Sequence, residues 1–176
     1  MPIINFEAKL TKVESETILT LPASASLKLP SRGMVMVKGT INTTPFQAGL
    51  EPDGKKGHWL KVDNELRKAI GATEGDTVRL EIEPTKDWPE PIVPADIQAA
   101  LTADALANNL WTKITPMARW DWIRWINSTA NPATRQRRIE VACSKLTAGS
   151  RRPCCFNRSE CTDPSVSKRG VLLDIA

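Results

Sequence analysis

The spacing of apolar side chains changes once along this chain, and the change falls at a cluster of prolines. Up to residue 83 apolar and polar residues tend to alternate, the period of a strand with one buried face. From residue 96 onward they recur every three or four residues, the period of a helix with one buried stripe. Between them, residues 84–95 contain Pro84, Pro89, Pro91 and Pro94. Proline fixes φ and removes a backbone donor, so four of them in this stretch predict a stiff extended connector. The expected class is α+β, with the strands first and the helices second.

Ile4, Phe6, Ala8 and Leu10 alternate with Asn5, Glu7, Lys9 and Thr11, which predicts a half-buried strand. Strands are also expected over residues 16–21, 34–41, 45–50, 58–62 and 77–83, with a helical turn within 23–29. Asp53-Gly54-Lys55-Lys56-Gly57 is a strong turn signal. Asp63 is placed to cap a short helix carrying Leu66 and Ile70, and Gly71 to stop it.

In the second part about three helices are expected. Asp96 is a candidate cap for one carrying Ile97, Ala100 and Leu101. Thr115-Pro116 and Asn131-Pro132 each combine a capping side chain with proline at the first helical position. The helices that follow present Trp122, Trp125, Ile126 and Thr129, and then Ile139, Ala142, Cys143 and Leu146, with Gly149 beyond the end. Residues 150–176 show no period. The reading divides the chain into a barrel-like domain at 1–83, a connector at 84–95, a helical region at 96–149 and an irregular tail containing Cys and Arg at 150–176.

Charge is divided as unevenly as period. Residues 1–95 carry 12 Lys/Arg and 13 Asp/Glu, a net −1; residues 96–176 carry 12 Lys/Arg and 7 Asp/Glu, a net +5. The excess in the second part favours an anionic partner. No apolar run reaches membrane-spanning length and no leader pattern opens the sequence, so no membrane insertion and a cytoplasmic location are expected. No phosphate-cradling glycine loop, HExxH or Gly-x-Ser-x-Gly is present, so the residues do not point to a standard enzyme.

Three stretches of the first part carry a resemblance: Gly33 to Phe46 (GMVMVKGTINTTPF), Lys56 to Val62 (KGHWLKV) and Leu66 to Val78 (LRKAIGATEGDTV). These are similar to a barrel domain of unknown function that precedes the YdeI/OmpD-associated region. Val93 to Leu101, Trp125-Ile126, Thr134 to Ile139 and Arg152 to Arg158 resemble that second region and its tail. Together they span nearly the whole chain. One departure is Thr43, where the family pattern usually has glycine in its turn. The resemblance implies a small bacterial protein whose barrel is of the double-split type, capped by short helices. The family's name derives from outer-membrane and bacteriocin-protection phenotypes, and the resemblance implies no reaction.

Several residues are candidates for function. The leading reading is a non-enzymatic binding or regulatory protein for a small anionic ligand or acidic partner, held near Phe46, His58, Arg135 and Arg138 in a cleft between barrel and helices. His58 is the only histidine and hence the one ready general base near neutral pH. A second reading is nucleic-acid binding through Arg119, Arg124, Arg135, Arg137, Arg138, Arg151 and Arg152. A third uses Cys154, Cys155 and Cys161 between Arg151, Arg152 and Arg158, as a zinc or iron site or as redox-active thiols. Trp122 and Trp125 are expected in a helix core, with Trp120 off that stripe. The residues do not address oligomeric state.

Overall fold

The computed structural model describes residues 2–154 and 156–174. Of these, the residues within Met1–Asp87, Asn157–Cys161 and Ser165–Ala176 form one compact unit, and those within Trp88–Phe156 and Thr162–Pro164 form the other.

The first unit is built on seven antiparallel strands: β1 (Ile4–Lys9), β2 (Thr11–Val13), β3 (Glu16–Thr20), β4 (Val35–Ile41), β5 (Thr44–Pro52), β6 (His58–Lys61) and β7 (Thr77–Pro84). Two short helices, α1 (Ala23–Ser26) and α2 (Asn64–Ile70), are inserted among them. The strand order is β1-β7-β4-β5-β6-β3-β2, so β1 and β2 lie at opposite edges although only Leu10 separates them in sequence. A sheet whose two edges are consecutive in the chain must curl on itself. Leu10 holds the curl from its backbone: its N–H donates to the Asp76 carbonyl at 2.8 Å, and its carbonyl accepts from Gly75 N–H at 2.8 Å. The expected alternation places Ile4, Ala8 and Leu10 inside with Leu19, Val37, Ile41, Leu50, Leu60, Val78, Leu80 and Ile82. The class is therefore α+β, with a curled half-barrel as its β part.

Local chemistry sets the turns. Asn42 and Thr43, between β4 and β5, have φ 47° and 70°, the two positive values that a two-residue type I′ hairpin requires. Asp53 Oδ1 accepts from Lys55 N at 2.7 Å and Gly57 N at 2.8 Å, which shapes the loop before β6. Asp63 caps α2, accepting from Leu66 N at 2.8 Å, and Gly71 ends it as expected.

The outer face of β3 and β6 is also covered. Val13, Ile18 and Trp59 are buried there beneath Cys161, Val166 and Leu172 from the C-terminal segment. That segment, read from sequence as irregular, contains a two-stranded ladder, β8 (Ser167–Lys168) and β9 (Val171–Leu172). It is fixed by backbone hydrogen bonds from Leu172 N to Asp53 O at 2.9 Å and from Cys161 N to Gly170 O at 2.7 Å. Gly54 and Gly170 approach so closely that a Cβ on Gly54 would lie 2.1 Å from Gly170 O. Covering on both faces explains why His58, Trp59 and Leu60 are all buried in succession.

The second unit has four helices among the described residues: α3 (Ala95–Ala103), α4 (Ala105–Lys113), α5 (Pro116–Asn127) and α6 (Pro132–Thr147). About three were expected, and α4 is the addition. Asp104 both ends α3 and caps α4, accepting from Ala107 N at 3.1 Å, so no linker marks the boundary. Asp96 is not a cap. Pro94 occupies that position, and the Asp96 carboxylate turns to Arg135 instead. The caps read from Thr115 and Asn131 are present: Thr115 Oγ1 accepts from Ala118 N at 3.2 Å, and Asn131 Oδ1 from Ala133 N at 2.9 Å. The core contains Ile97, Leu101, Ala107, Trp111, Trp122, Ile126, Ile139, Ala142 and Leu146. The connector is partly built into this unit: Val93 packs on the core and Pro89 O accepts from Trp120 Nε1 at 2.8 Å.

Candidate functional site

Most of the arginines in the helical unit act as internal wiring. Arg119 is 8% exposed. Its guanidinium donates to both carboxylate oxygens of Glu90 and to the carbonyls of Trp111 and Ile114, the latter two at the C-terminal end of α4. A cation that satisfies the last carbonyls also offsets the negative end of the helix. Arg138 does the same for α5, donating to Trp125 O at 2.8 Å and Ser128 Oγ at 2.6 Å, with its guanidinium carbon 5.4 Å from the Trp125 ring centroid. Arg135 donates to Asp96 Oδ2 at 2.7 Å and Oδ1 at 2.9 Å, and to Asn127 Oδ1 at 2.7 Å. These bonds hold the Asp96 carboxyl below the usual carboxylate range. Arg124 is 5% exposed and lies 5.5 Å from the Phe156 ring centroid.

This arrangement explains an oddity of the sequence. Arg135, Arg137 and Arg138 sit near the start of α6, where the helix dipole disfavours cations. Two of the three serve the ends of neighbouring helices: Arg135 reaches the first turn of α3, and Arg138 reaches the last turn of α5. Arg137 is exposed.

Three cations border one space. Lys113, Arg151 and Arg152 line a cavity of about 500 Å³ in the helical unit, together with Leu110, Ile114 and Leu146. Lys113 stands at the last position of α4. Arg151 and Arg152 follow α6, just past the bonds that end the helix. Gly149, at φ 95°, lets its own N–H reach Leu146 O at 3.0 Å while Ser150 N–H reaches Lys145 O at 2.9 Å. That pair of bonds is a Schellman termination, which reverses the chain and satisfies the last carbonyls of α6. Trp122 Nε1 then fixes the new segment by donating to Arg151 O at 2.9 Å. Arg152 Nη1 lies 3.7 Å from Asp121 Oδ2, whereas Lys113 and Arg151 form no ion pair among the described residues.

The residues expected to share a ligand are divided between the units, and each is engaged within its own. Phe46 is half-buried against the barrel core. His58 is 1% exposed. Its Nε2 lies 2.9 Å from Gly33 O, and a carbonyl only accepts, so Nε2 carries the proton and Nδ1 accepts from the Ser26 hydroxyl at 2.6 Å. Burial lowers its pKa most, the nearby Arg32 lowers it further, and the Gly33 carbonyl and Asp53 act the other way. His58 is thus a neutral pin between α1, β6 and the segment that leads into β4.

The cysteines are dispersed in environment. Cys161 is buried with Ile18 and Trp59, Cys154 is exposed, and Cys155 lies outside the described residues. Cys143 is half-buried in the helix core, where burial first and Asp104 second push its thiol up. Among the described residues no three of His, Cys, Asp and Glu are placed to hold a metal ion. Trp122 and Trp125 pack edge-to-face with centroids 6.0 Å apart, and Trp120 packs in the same manner on Trp88 at 6.1 Å.

Lys113 was not visible as a functional residue without α4. The signal was Asp104 followed by Ala107, Leu110, Trp111 and Ile114 at three-and-four spacing. That pattern predicts a capped helix with Lys113 in its last turn. No helix among the described residues is long and apolar enough to cross a membrane.

Comparison with known proteins agrees with this division of the chain. Residues 6–82 match a family model described as the domain of unknown function DUF1905. Residues 90–149 match one described as bacteriocin-protection, YdeI or OmpD-associated. No curated protein matches the chain. With a curled β unit where the first model lies and a helical unit where the second lies, the chain carries a DUF1905 domain followed by a domain of the bacteriocin-protection, YdeI or OmpD-associated family.

Proposed function

We propose that this protein is a binding module for a small anion, taken up in the cavity of the helical unit, and that it acts without catalysing a reaction. The observation that carries this reading is the convergence of Lys113, Arg151 and Arg152 on one cavity, while the buried arginines of the same unit are already engaged. A cavity of about 500 Å³ lies within the range of small-molecule sites. None of the described residues lining it is acidic. The field inside therefore favours a negative ligand. His58, the one histidine, is buried and donates to a backbone carbonyl, which speaks against its use as a general base.

Nucleic-acid binding draws less support, because Arg119 and Arg124 are buried and Arg135 and Arg138 serve neighbouring helices. The test is calorimetry of the full chain with inorganic phosphate, sulfate and citrate, repeated with Lys113→Ala and Arg151→Ala. Binding that weakens about ten-fold in each variant is expected, the loss of one charge-assisted contact of about 1.5 kcal/mol. Undetectable binding of every anion at millimolar concentration would remove the reading.

A further inference from the structure

The cavity carries more than charge. Leu110 stands in the last turn of α4, Ile114 is the extended residue that ends that helix, and Leu146 stands in the last turn of α6; all three line the same space as the cations. Leu110 and Ile114 stay only half-buried, so apolar surface is left accessible beside a basic rim. An inorganic anion would use the rim alone. The accessible surface of Leu110 and Ile114 would then stay against water.

Two of the rim cations, Lys113 and Arg151, are in no ion pair among the described residues. The negative end of α4 is met by Arg119 and the carbonyls of α6 by its own termination, so neither draws on Lys113 or Arg151. Among the described residues the rim cation in an ion pair is Arg152, whose partner Asp121 is buried.

We infer that the ligand is an aliphatic anion, with a carboxylate or phosphate head on Lys113 and Arg151 and a short hydrocarbon body against Leu110 and Ile114. The inference rests on the anion-binding reading above and adds the ligand's apolar half. Arg151 can meet either head with its planar fork, and Lys113 adds a point charge. Each methylene that leaves water for the apolar wall tightens binding on the order of three-fold, until the cavity is filled.

The experiment is calorimetry of the full chain with acetate, butyrate, hexanoate and octanoate, with hexyl phosphate and inorganic phosphate, and with hexylamine. Affinity is expected to rise on the order of three-fold per methylene from acetate toward hexanoate and then level off. Comparing hexanoate with hexyl phosphate assigns the head, and tighter binding of either agrees with the inference. Ile114→Ala is expected to flatten the dependence on chain length about three-fold while leaving inorganic phosphate unchanged. If inorganic phosphate and acetate bind but chain length has no effect, the aliphatic ligand is wrong and the anion site stands. Hexylamine binding as tightly as hexanoate would overturn the assignment of the head. If none of these anions binds, both readings fall.

Discussion

Thr43 is a β-branched residue at φ 70°, a conformation that costs such side chains roughly 1–2 kcal/mol. The hairpin nevertheless needs positive φ at this position, so glycine is the natural occupant. Thr43→Gly is expected to stabilise the protein by about 0.5–1 kcal/mol, the relief of strain less the added freedom of the unfolded chain. A thermal melt checks it, and an unchanged or lower midpoint would show that the turn is not strained. His58 gives a second expectation. Its folded pKa lies below the ordinary value of 6.5 because burial and Arg32 disfavour the cation. The unfolded chain therefore takes up a proton before the folded one does. Stability should be constant above pH about 6.5 and fall below it, by at most about 1.4 kcal/mol per pH unit, until the folded pKa is passed. Because no other histidine is present, His58→Gln should abolish this loss in urea melts between pH 7.5 and 5.5. A wild-type midpoint that stays flat across that window would contradict the neutral pin.

At the level of elements, the helical unit depends on who caps whom. Arg119 ties the end of α4 to Glu90 of the connector from a buried position, through four donor–acceptor contacts of fixed geometry. Lysine keeps the charge and loses the fork. Arg119→Lys should therefore cost about 2 kcal/mol, whereas Arg137→Lys on the exposed face of α6 should stay within about 0.5 kcal/mol. Denaturant melts of the two variants compare them directly, and equal effects would refute the capping role. The sequence made the starts of α5 and α6 legible because Thr115-Pro116 and Asn131-Pro132 are local signals: the cap and the groups it satisfies lie within four residues. The C-terminal caps were not legible. Arg119 and Arg138 reach carbonyls presented by other elements, so nothing at their own positions marks the role. The basic character of the second part was plain in the sequence, but composition does not distinguish an arginine that serves a helix end from one that faces a ligand. Only Arg151 and Arg152, of the arginines singled out, line the cavity. The remaining cation, Lys113, belongs to a helix hidden by the absence of any linker before it.

For the molecule as a whole, the first unit is completed from the far end of the chain. Val166 and Leu172 bury Val13, Ile18 and Trp59, and Gly54 meets Gly170 backbone to backbone. Leu172→Ala should cost about 2–4 kcal/mol, the range for emptying a buried leucine site. Gly54→Ala should act more locally, because its Cβ collides with the segment carrying β8 and β9. Limited proteolysis of this variant is expected to cut within residues 157–174 several times faster than in the wild type, while the half-barrel resists. Equal cleavage would show that the two backbones need no such approach. The covering segment also imposes an order in time. During synthesis β7 ends at Pro84, yet Leu172 emerges 88 residues later, roughly 4–18 s at the usual speed of a ribosome. For that interval Ile18 and Trp59 have no cover of their own, and the nascent half-barrel exposes an adhesive patch that disappears only when the last segment arrives.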